Sequence, residues 1–459
     1  MSGAYTPEEP IAAIATALAP SALAAIRTSG KNCIELVAAI FSRPKALRSA
    51  AGYTMVHGWI VTPQGDRIDE VMLGVYRAPK SFTGEDMVEI FCHGGTASVL
   101  AVQKLLLKSG FREAERGEFS FRAYINGKTD LTRAEAIREI IDSRTDESRS
   151  RAAGRLAGNL YQEMQRIKEL LIRTAASIEA EIEYPEDENA IADAYDESEL
   201  IEAGKSLKRL SDAWAGEKLY QDGARIVLCG KTNAGKSSLF NTLLKEERAI
   251  VSDIEGTTRD WIESWVSFGG IPARLFDTAG LRKSDDIIEQ SGVERSLDLV
   301  READLVLYLA DSTKELAADD KNNLAELAES KLPVILVWNK CDKPSASTAS
   351  VAGTVQEVRI SAKTGEGLSS LIEAVHGQLA KQKASSRDQA GLGSERQKAC
   401  VDDALDSINH ALSAVSEGLG LDAVVQDIED ALAFLSAVTG EVSPDDILGN
   451  IFSRFCVGK

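Results

Sequence analysis

Between Pro10 and about Phe119, short apolar runs rich in β-branched residues, "TMVHGWIV" and "EVMLGVYRA", alternate with a stretch of helical period, "SVLAVQKLLLKSG". Side chains alternate faces along a strand and recur every three to four residues on a helix, so this pattern predicts a small α/β domain. From about Leu131 to Ile182 the pattern turns helical. Leu156, Leu160, Met164, Ile167, Leu171, Ile178 and Ile182 recur three or four residues apart, the apolar stripe of one helix, until the acidic "EYPEDENA" breaks it. Such a stripe needs cover. The predicted cover lies far along the chain in "LDAVVQDIEDALAFLSAVTG", which has the same period and stops at Gly440.

Between the two helical segments, from about Asp222 to Gly377, the pattern changes again. "ARIVLCG", "ARLFDTAG", "DLVLYLAD", "PVILVWNK" and "QEVRISAK" are short apolar strands separated by helical stretches, which predicts a doubly wound α/β domain. The expected organisation is therefore an insertion. An N-terminal α/β domain occupies 1–120, a discontinuous helical domain occupies 121–221 and 381–459, and a nucleotide-binding domain at 222–380 is inserted between its halves. "KQKASSRDQAGLGSER" reads as the linker back, and no internal repeat or low-complexity tract interrupts the scheme.

Composition narrows the function. The 459 residues suffice for roughly three domains of about 150 residues. A net charge of −19 opposes nonspecific binding along a phosphate backbone, so any RNA must meet a local basic patch. The best stretch for one, Lys108 to Arg155, contains Arg112, Arg116, Arg122, Arg133, Arg138, Arg144, Arg149 and Arg151 with acids interleaved. Solvated helix faces with i,i+4 ion pairs are the expectation for most of these arginines. Six scattered cysteines without a C-x-x-C pair predict reduced thiols, and the lack of an unbroken apolar run or a secretory leader pattern predicts a cytoplasmic location.

"CGKTNAGKSS" carries the first chemistry. It follows a strand and precedes the helical "SSLFNTLL", the context a phosphate-binding loop requires. Backbone N–H groups of Asn233, Ala234, Gly235, Lys236, Ser237 and Ser238 are placed to cradle phosphates, with Lys236 on the β/γ oxygens and Ser237 on Mg²⁺. In "FDTAG", Asp277 ends a strand where a carboxylate can hold the Mg²⁺ shell. Thr278, Ala279 and Gly280 follow, and the Gly280 N–H can sense a γ-phosphate. In "NKCD", Asp342 can accept two hydrogen bonds from guanine that adenine does not offer, while Asn339 and Lys340 brace the base, so the nucleotide is GTP. "SAK", Ser361, Ala362 and Lys363, can add the Ala362 N–H to the guanine oxygen. Between the first two motifs, "SDIEGTTRD" places Thr258 to reach Mg²⁺ in a switch segment; an ordinary turn or cap is the alternative for Thr257 or Thr258. Asn233 has two readings as well: its carbonyl oxygen is a donor suited to a hard monovalent cation near the transferring phosphate, or it shapes the loop.

These motifs together with "SFTGEDMVEIFCHGG", "ERGEFSFRAYINGKTDLTRAEAI" and "IFSRFCVGK" resemble the MnmE (TrmE) family of tRNA-modification GTPases over nearly the full length. The resemblance implies an N-terminal folate-binding and dimerising domain, the discontinuous helical domain and the inserted GTPase domain. It implies a homodimer whose GTP hydrolysis is stimulated by K⁺. Asn233 would be the side-chain K⁺ ligand, with Ser252, Ile254 and Thr257 in the cation-holding loop, and Glu289 would position the attacking water. The implied partner is the flavoprotein MnmG, in a heterotetramer that modifies C5 of the wobble uridine of certain tRNAs. The one-carbon unit would come from 5-formyltetrahydrofolate or a related reduced folate, with Arg27, Glu89, Lys128 and Lys459 as candidate contacts and Cys456 as a candidate catalytic thiol.

Two departures from the family pattern stand out. "ALAPSALAAIRTSG" replaces a glycine-rich turn, which bears on the folate loop, and Thr232 replaces a proline before Asn233. A reading of a different class is a regulatory RNA-binding GTPase of the ribosome-assembly type, without coupled chemistry on RNA.

Overall fold

The computed structural model describes residues 9–183, 197–246, 263–277, 302–330, 332–345, 356–381, 389–417, 420–442 and 444–458. The chain forms two compact units, Met1–Arg138 with Leu435–Lys459, and Glu139–Phe434.

In the first unit, β1 (Ile11–Ile14), β2 (Ser21–Ser29), β3 (Thr54–Val61), β4 (Arg67–Tyr76), β5 (Met87–Gly94) and β6 (Arg112–Glu113) form a sheet in the order β3-β4-β5-β2-β1-β6. All neighbours are antiparallel except β1 and β6. The period of two decides which face is buried: Val71, Leu73 and Val75 of β4 face the core with Ile26, Ile90, Val102 and Leu106, beneath the helix Thr96–Lys108. Leu435–Lys459 joins this unit, although the helical period alone places it with the second helical segment. The reason is apolar: Phe452 and Phe455 of the C-terminal segment pack with Phe121, Leu131 and Ala134.

The second unit contains the insertion. β7 (Ala224–Gly230), β8 (Glu263–Phe268), β9 (Ile271–Asp277), β10 (Leu305–Asp311), β11 (Val334–Asn339) and β12 (Gln356–Arg359) are ordered β12-β11-β10-β7-β9-β8. Every pair is parallel except the β8–β9 hairpin. One sheet face packs Ile226, Leu307 and Ile335 against Leu239, Leu243, Leu371 and Val375, from helices Lys236–Glu246 and Leu368–Leu379. The other packs Val227, Val306 and Leu336 against Leu324 of helix Ala318–Glu329. Strands apolar on both faces read as continuous hydrophobic runs, which is why this doubly wound sheet was legible.

The single helix expected around the stripe is instead broken. Asp146–Ala157 ends at Gly158, whose φ of 105° is a left-handed cap that glycine adopts without strain, and Asn159–Glu183 starts afresh. Leu160, Met164, Ile167, Leu171 and Ile178 are fully buried, but Leu156 and Ile182 are exposed at 37% and 38%. The helix Asn159–Glu183 packs on Glu197–Asp222, which packs in turn on the distant Glu395–Glu417. Ser211 donates to Asp402 at 2.8 Å, and Gln221 to the Leu392 carbonyl at 3.1 Å, across that junction.

The arginines do not form solvated faces throughout. Arg122 is fully buried between Glu85 and Glu118, and Arg151 and Arg155 share the buried carboxylate of Glu217 at 2.7 and 3.2 Å. Burial of a guanidinium is tolerated only with such partners, so these residues are structural and offer no open patch to a phosphate backbone. Among the described residues no helix is long and apolar enough to cross a membrane.

Candidate nucleotide site and N-terminal polar cluster

The loop between β7 and helix Lys236–Glu246 closes on its own lysine. Lys236 Nζ donates to the carbonyls of Gly230 at 2.7 Å and Lys231 at 2.9 Å, and the side chain is buried. Holding both carbonyls toward the ammonium makes the loop a closed turn at a helix N-terminus, the arrangement suited to an anion. Gly235 has φ 97°, and a Cβ there would lie 2.2 Å from Asn339 Nδ2. Only glycine fits between the loop and that amide. Asn233 is exposed with φ 65°, a left-handed conformation that a short amide side chain bears at little cost.

Asn339 ends β11 and is 2% exposed. Its Nδ2 donates to the Ala234 carbonyl at 2.9 Å, while its Oδ1 accepts the N–H groups of Lys340 at 2.8 Å and Ala362 at 2.9 Å. One amide therefore joins the phosphate loop, "NKCD" and "SAK". The Ala362 N–H, expected at the guanine oxygen, is given to Asn339 in this structure, and the Ala362 carbonyl accepts from Thr242 Oγ1 at 2.8 Å. Ser361 Oγ donates to Asp342 Oδ1 at 2.7 Å, and that bond holds the Asp342 carboxyl below its usual range. Asp342 is thus kept as the acceptor that a pair of guanine donors requires. Lys363 follows in the same loop.

The sequence reading missed Thr242 and Asp311. Asp311 pairs with Lys340 at 2.6 Å, and its signal was present: "DLVLYLAD" ends in aspartate, as "ARLFD" does.

Asp277 ends β9 at the register of Leu228, beside the strand that enters the phosphate loop, and Ser237 lies in the first turn of the following helix. Hydroxyl and carboxylate oxygens are the hard donors Mg²⁺ prefers, the chemistry that Ser237 and Asp277 offer. Ser252, Ile254, Thr257, Thr258, Thr278, Ala279, Gly280, Glu289 and Lys459 lie outside the described residues.

A separate polar cluster lies in the first unit. Arg27 Nε donates to Glu89 Oε1 at 2.8 Å, its Nη1 to the Gly458 carbonyl at 3.2 Å, and its guanidinium stacks 4.8 Å from the centre of the Phe82 ring. Tyr76 donates to Glu89 Oε2 at 3.2 Å; burial, then the Glu89 charge, push its phenol up, keeping it a donor. Each Glu89 oxygen thus accepts one bond, and a carboxylate has about four acceptor sites, so acceptor capacity for pterin N–H groups remains. Arg27 and Glu89 are brought together as a pair. Lys128 is held at the Pro79 carbonyl at 3.0 Å. Cys456 is exposed, and Arg116 bridges its neighbour Val457.

The profile described as the MnmE helical domain matches residues 131–456, and that of the GTP-binding protein TrmE N-terminus matches residues 10–128. A protein named tRNA modification GTPase MnmE from Treponema denticola is 51% identical over 469 residues, covering 100% of this chain and 99% of that protein. One of the same name from Treponema pallidum is 43% identical over 496 residues, covering 99% of each. Among solved structures, the G domain of the Thermotoga maritima FeoB iron transporter is 26% identical over 35% of this chain and 98% of its own, with a TM-score of 0.25.

Proposed function

The chain belongs to the MnmE family, and on that premise we propose that it is a GTP hydrolase acting in tRNA modification, with hydrolysis assisted by K⁺. The observation that carries the nucleotide reading is the Asn339 amide, which fixes the phosphate loop and the base-reading loop to one another.

In the proposed mechanism the loop from Asn233 to Ser238 binds the phosphates and Lys236 meets the β/γ oxygens. Ser237, Asp277 and Thr258 would hold Mg²⁺. Asn233, with Ser252, Ile254 and Thr257, would hold K⁺. Bound there, the cations supply positive charge where negative charge develops in phosphoryl transfer. Asp342 accepts from guanine, Asn339, Lys340, Ser361, Ala362 and Lys363 shape its surroundings, Gly280 senses the γ-phosphate, and Glu289 orients water.

We further propose a homodimer that works with the flavoprotein MnmG on C5 of the wobble uridine, taking a one-carbon unit from a reduced folate. The Arg27–Glu89 pair supports folate binding: Glu89 would accept from the paired pterin donors, and Arg27, Lys128 and Lys459 would suit the folate carboxylates. Cys456 is the thiol available for covalent chemistry. The test is nucleoside analysis of tRNA from cells lacking the protein. Loss of the C5 wobble-uridine modification, restored by the wild-type chain, supports the reading; intact modification with altered ribosome profiles would replace it with a regulatory switch.

A further inference from the structure

We propose that Asp311 is a positioning residue for guanine recognition, holding Lys340 in the one conformation from which the lysine stem walls the base. The inference rests on reading "NKCD" as the base-recognition loop.

Asp311 ends β10 and lies in register with Asn339, the last residue of β11. Lys340 Nζ is 2.6 Å from Asp311 Oδ2. The other carboxylate oxygen is clamped, accepting the Thr313 N–H at 3.0 Å and the Thr313 hydroxyl at 2.7 Å. The loop after β10 is also tied to its neighbour: Ser312 N–H donates to the Asn339 carbonyl at 2.9 Å, and Ser345 Oγ to the Ser312 carbonyl at 3.2 Å. Asp311 is therefore fixed on the frame that carries Asn339.

Two consequences follow for Lys340. An ammonium so close in sequence to Asp342 would otherwise be drawn to that carboxylate, which guanine needs; pairing with Asp311 removes the competitor. Anchoring at Nζ also fixes a long, rotamer-rich stem whose backbone already sits at φ 69°, a conformation a lysine keeps only where its surroundings impose it. The anchor is charged at neutral pH. Burial would raise the Asp311 carboxyl, but the Lys340 and Thr313 bonds outweigh it and bring it down to about 2.

The experiment uses the full chain with Asp311→Asn, Lys340→Met and the double variant, reading the Kd for a fluorescent GDP and the KM and kcat for GTP. Asp311→Asn should raise the Kd about tenfold, since a charge-assisted bond is replaced by a weaker one, and raise KM more than it lowers kcat. On the Lys340→Met background the same change should cost nothing further, because Asp311 acts through the lysine. An unchanged Kd, or an equal loss on both backgrounds, overturns the proposal. Thr313→Ala, which loosens the clamp and keeps the charge, should raise the Kd about threefold and serves if Asp311→Asn does not fold. Wild-type preference for GDP over ADP separates the two levels: without it the base-recognition reading fails, whereas guanine preference with an indifferent Asp311 sinks only the positioning role.

Discussion

Asn339 Nδ2 and the carbonyl of Ala234, 105 residues apart in sequence, meet at 2.9 Å, so the residue that opens the base-reading motif also fixes the phosphate loop. Asn339→Ala would strip that carbonyl and the Ala362 N–H of buried partners, at about 1–3 kcal/mol for each. The expected result is a GDP affinity lowered about a hundredfold together with a lower melting temperature, by fluorescence titration and calorimetry. Affinity within twofold of wild type would contradict the role assigned to this amide.

The same contact makes Gly235 irreplaceable. Gly235→Ala adds a methyl 2.2 Å from Asn339 Nδ2 at a backbone φ of 97°, so it should abolish GDP binding. Because the clash is local, circular dichroism should remain close to wild type. Retained binding would mean that the loop and β11 separate easily.

Glu217 is shared by two buried arginines, Arg151 and Arg155, which also pair with Glu147 and Glu139 respectively. Glu217→Ala leaves each guanidinium with one carboxylate, Glu147 or Glu139, and should destabilise the second unit by about 2–3 kcal/mol in urea titrations followed by tryptophan fluorescence. An unshifted midpoint would show that water or other carboxylates replace it at no cost.

Burial pushes the thiol of Cys33 up to about 12, and those of Cys92 and Cys229 to about 11, from an ordinary 9.0. Above pH 9 the unfolded chain releases protons that the folded chain keeps, so this contribution to stability is complete below pH 9 and declines as pH rises toward 12. Urea midpoints should fall between pH 8.5 and 11, and Cys33→Ala should reduce the slope. Brief alkylation of the native protein should label exposed Cys456 before Cys33 or Cys92, as peptide mass analysis would show.

How much of this was legible follows from how each signal is encoded. Strands buried on both faces announce themselves as apolar runs, so β7, β10 and β11, and the motifs that follow β7 and β11, could be read in one dimension. The helix break at Gly158 could not, because Leu156 keeps the period of the stripe while the backbone turns away from it. The arginines misled for a related reason. Arg122, Arg151 and Arg155 look like solvated charge, and their burial depends on Glu85 and Glu217, which are distant in sequence. The aspartate ending "DLVLYLAD" is visible, but its pairing with Lys340 is a tertiary contact across 29 residues that no local pattern encodes. The placement of Phe452 and Phe455 against Phe121 is a tertiary fact that helical period cannot carry.

The most direct test of the account is GTP turnover by the purified protein in KCl and in NaCl at equal ionic strength, for wild type and for Asn233→Ala. A large K⁺ advantage that disappears in the variant is expected, because the exposed Asn233 side chain would supply an oxygen ligand to the cation. Equal turnover in the two salts, with the variant unchanged, would contradict it and leave Asn233 as a residue that only shapes the loop.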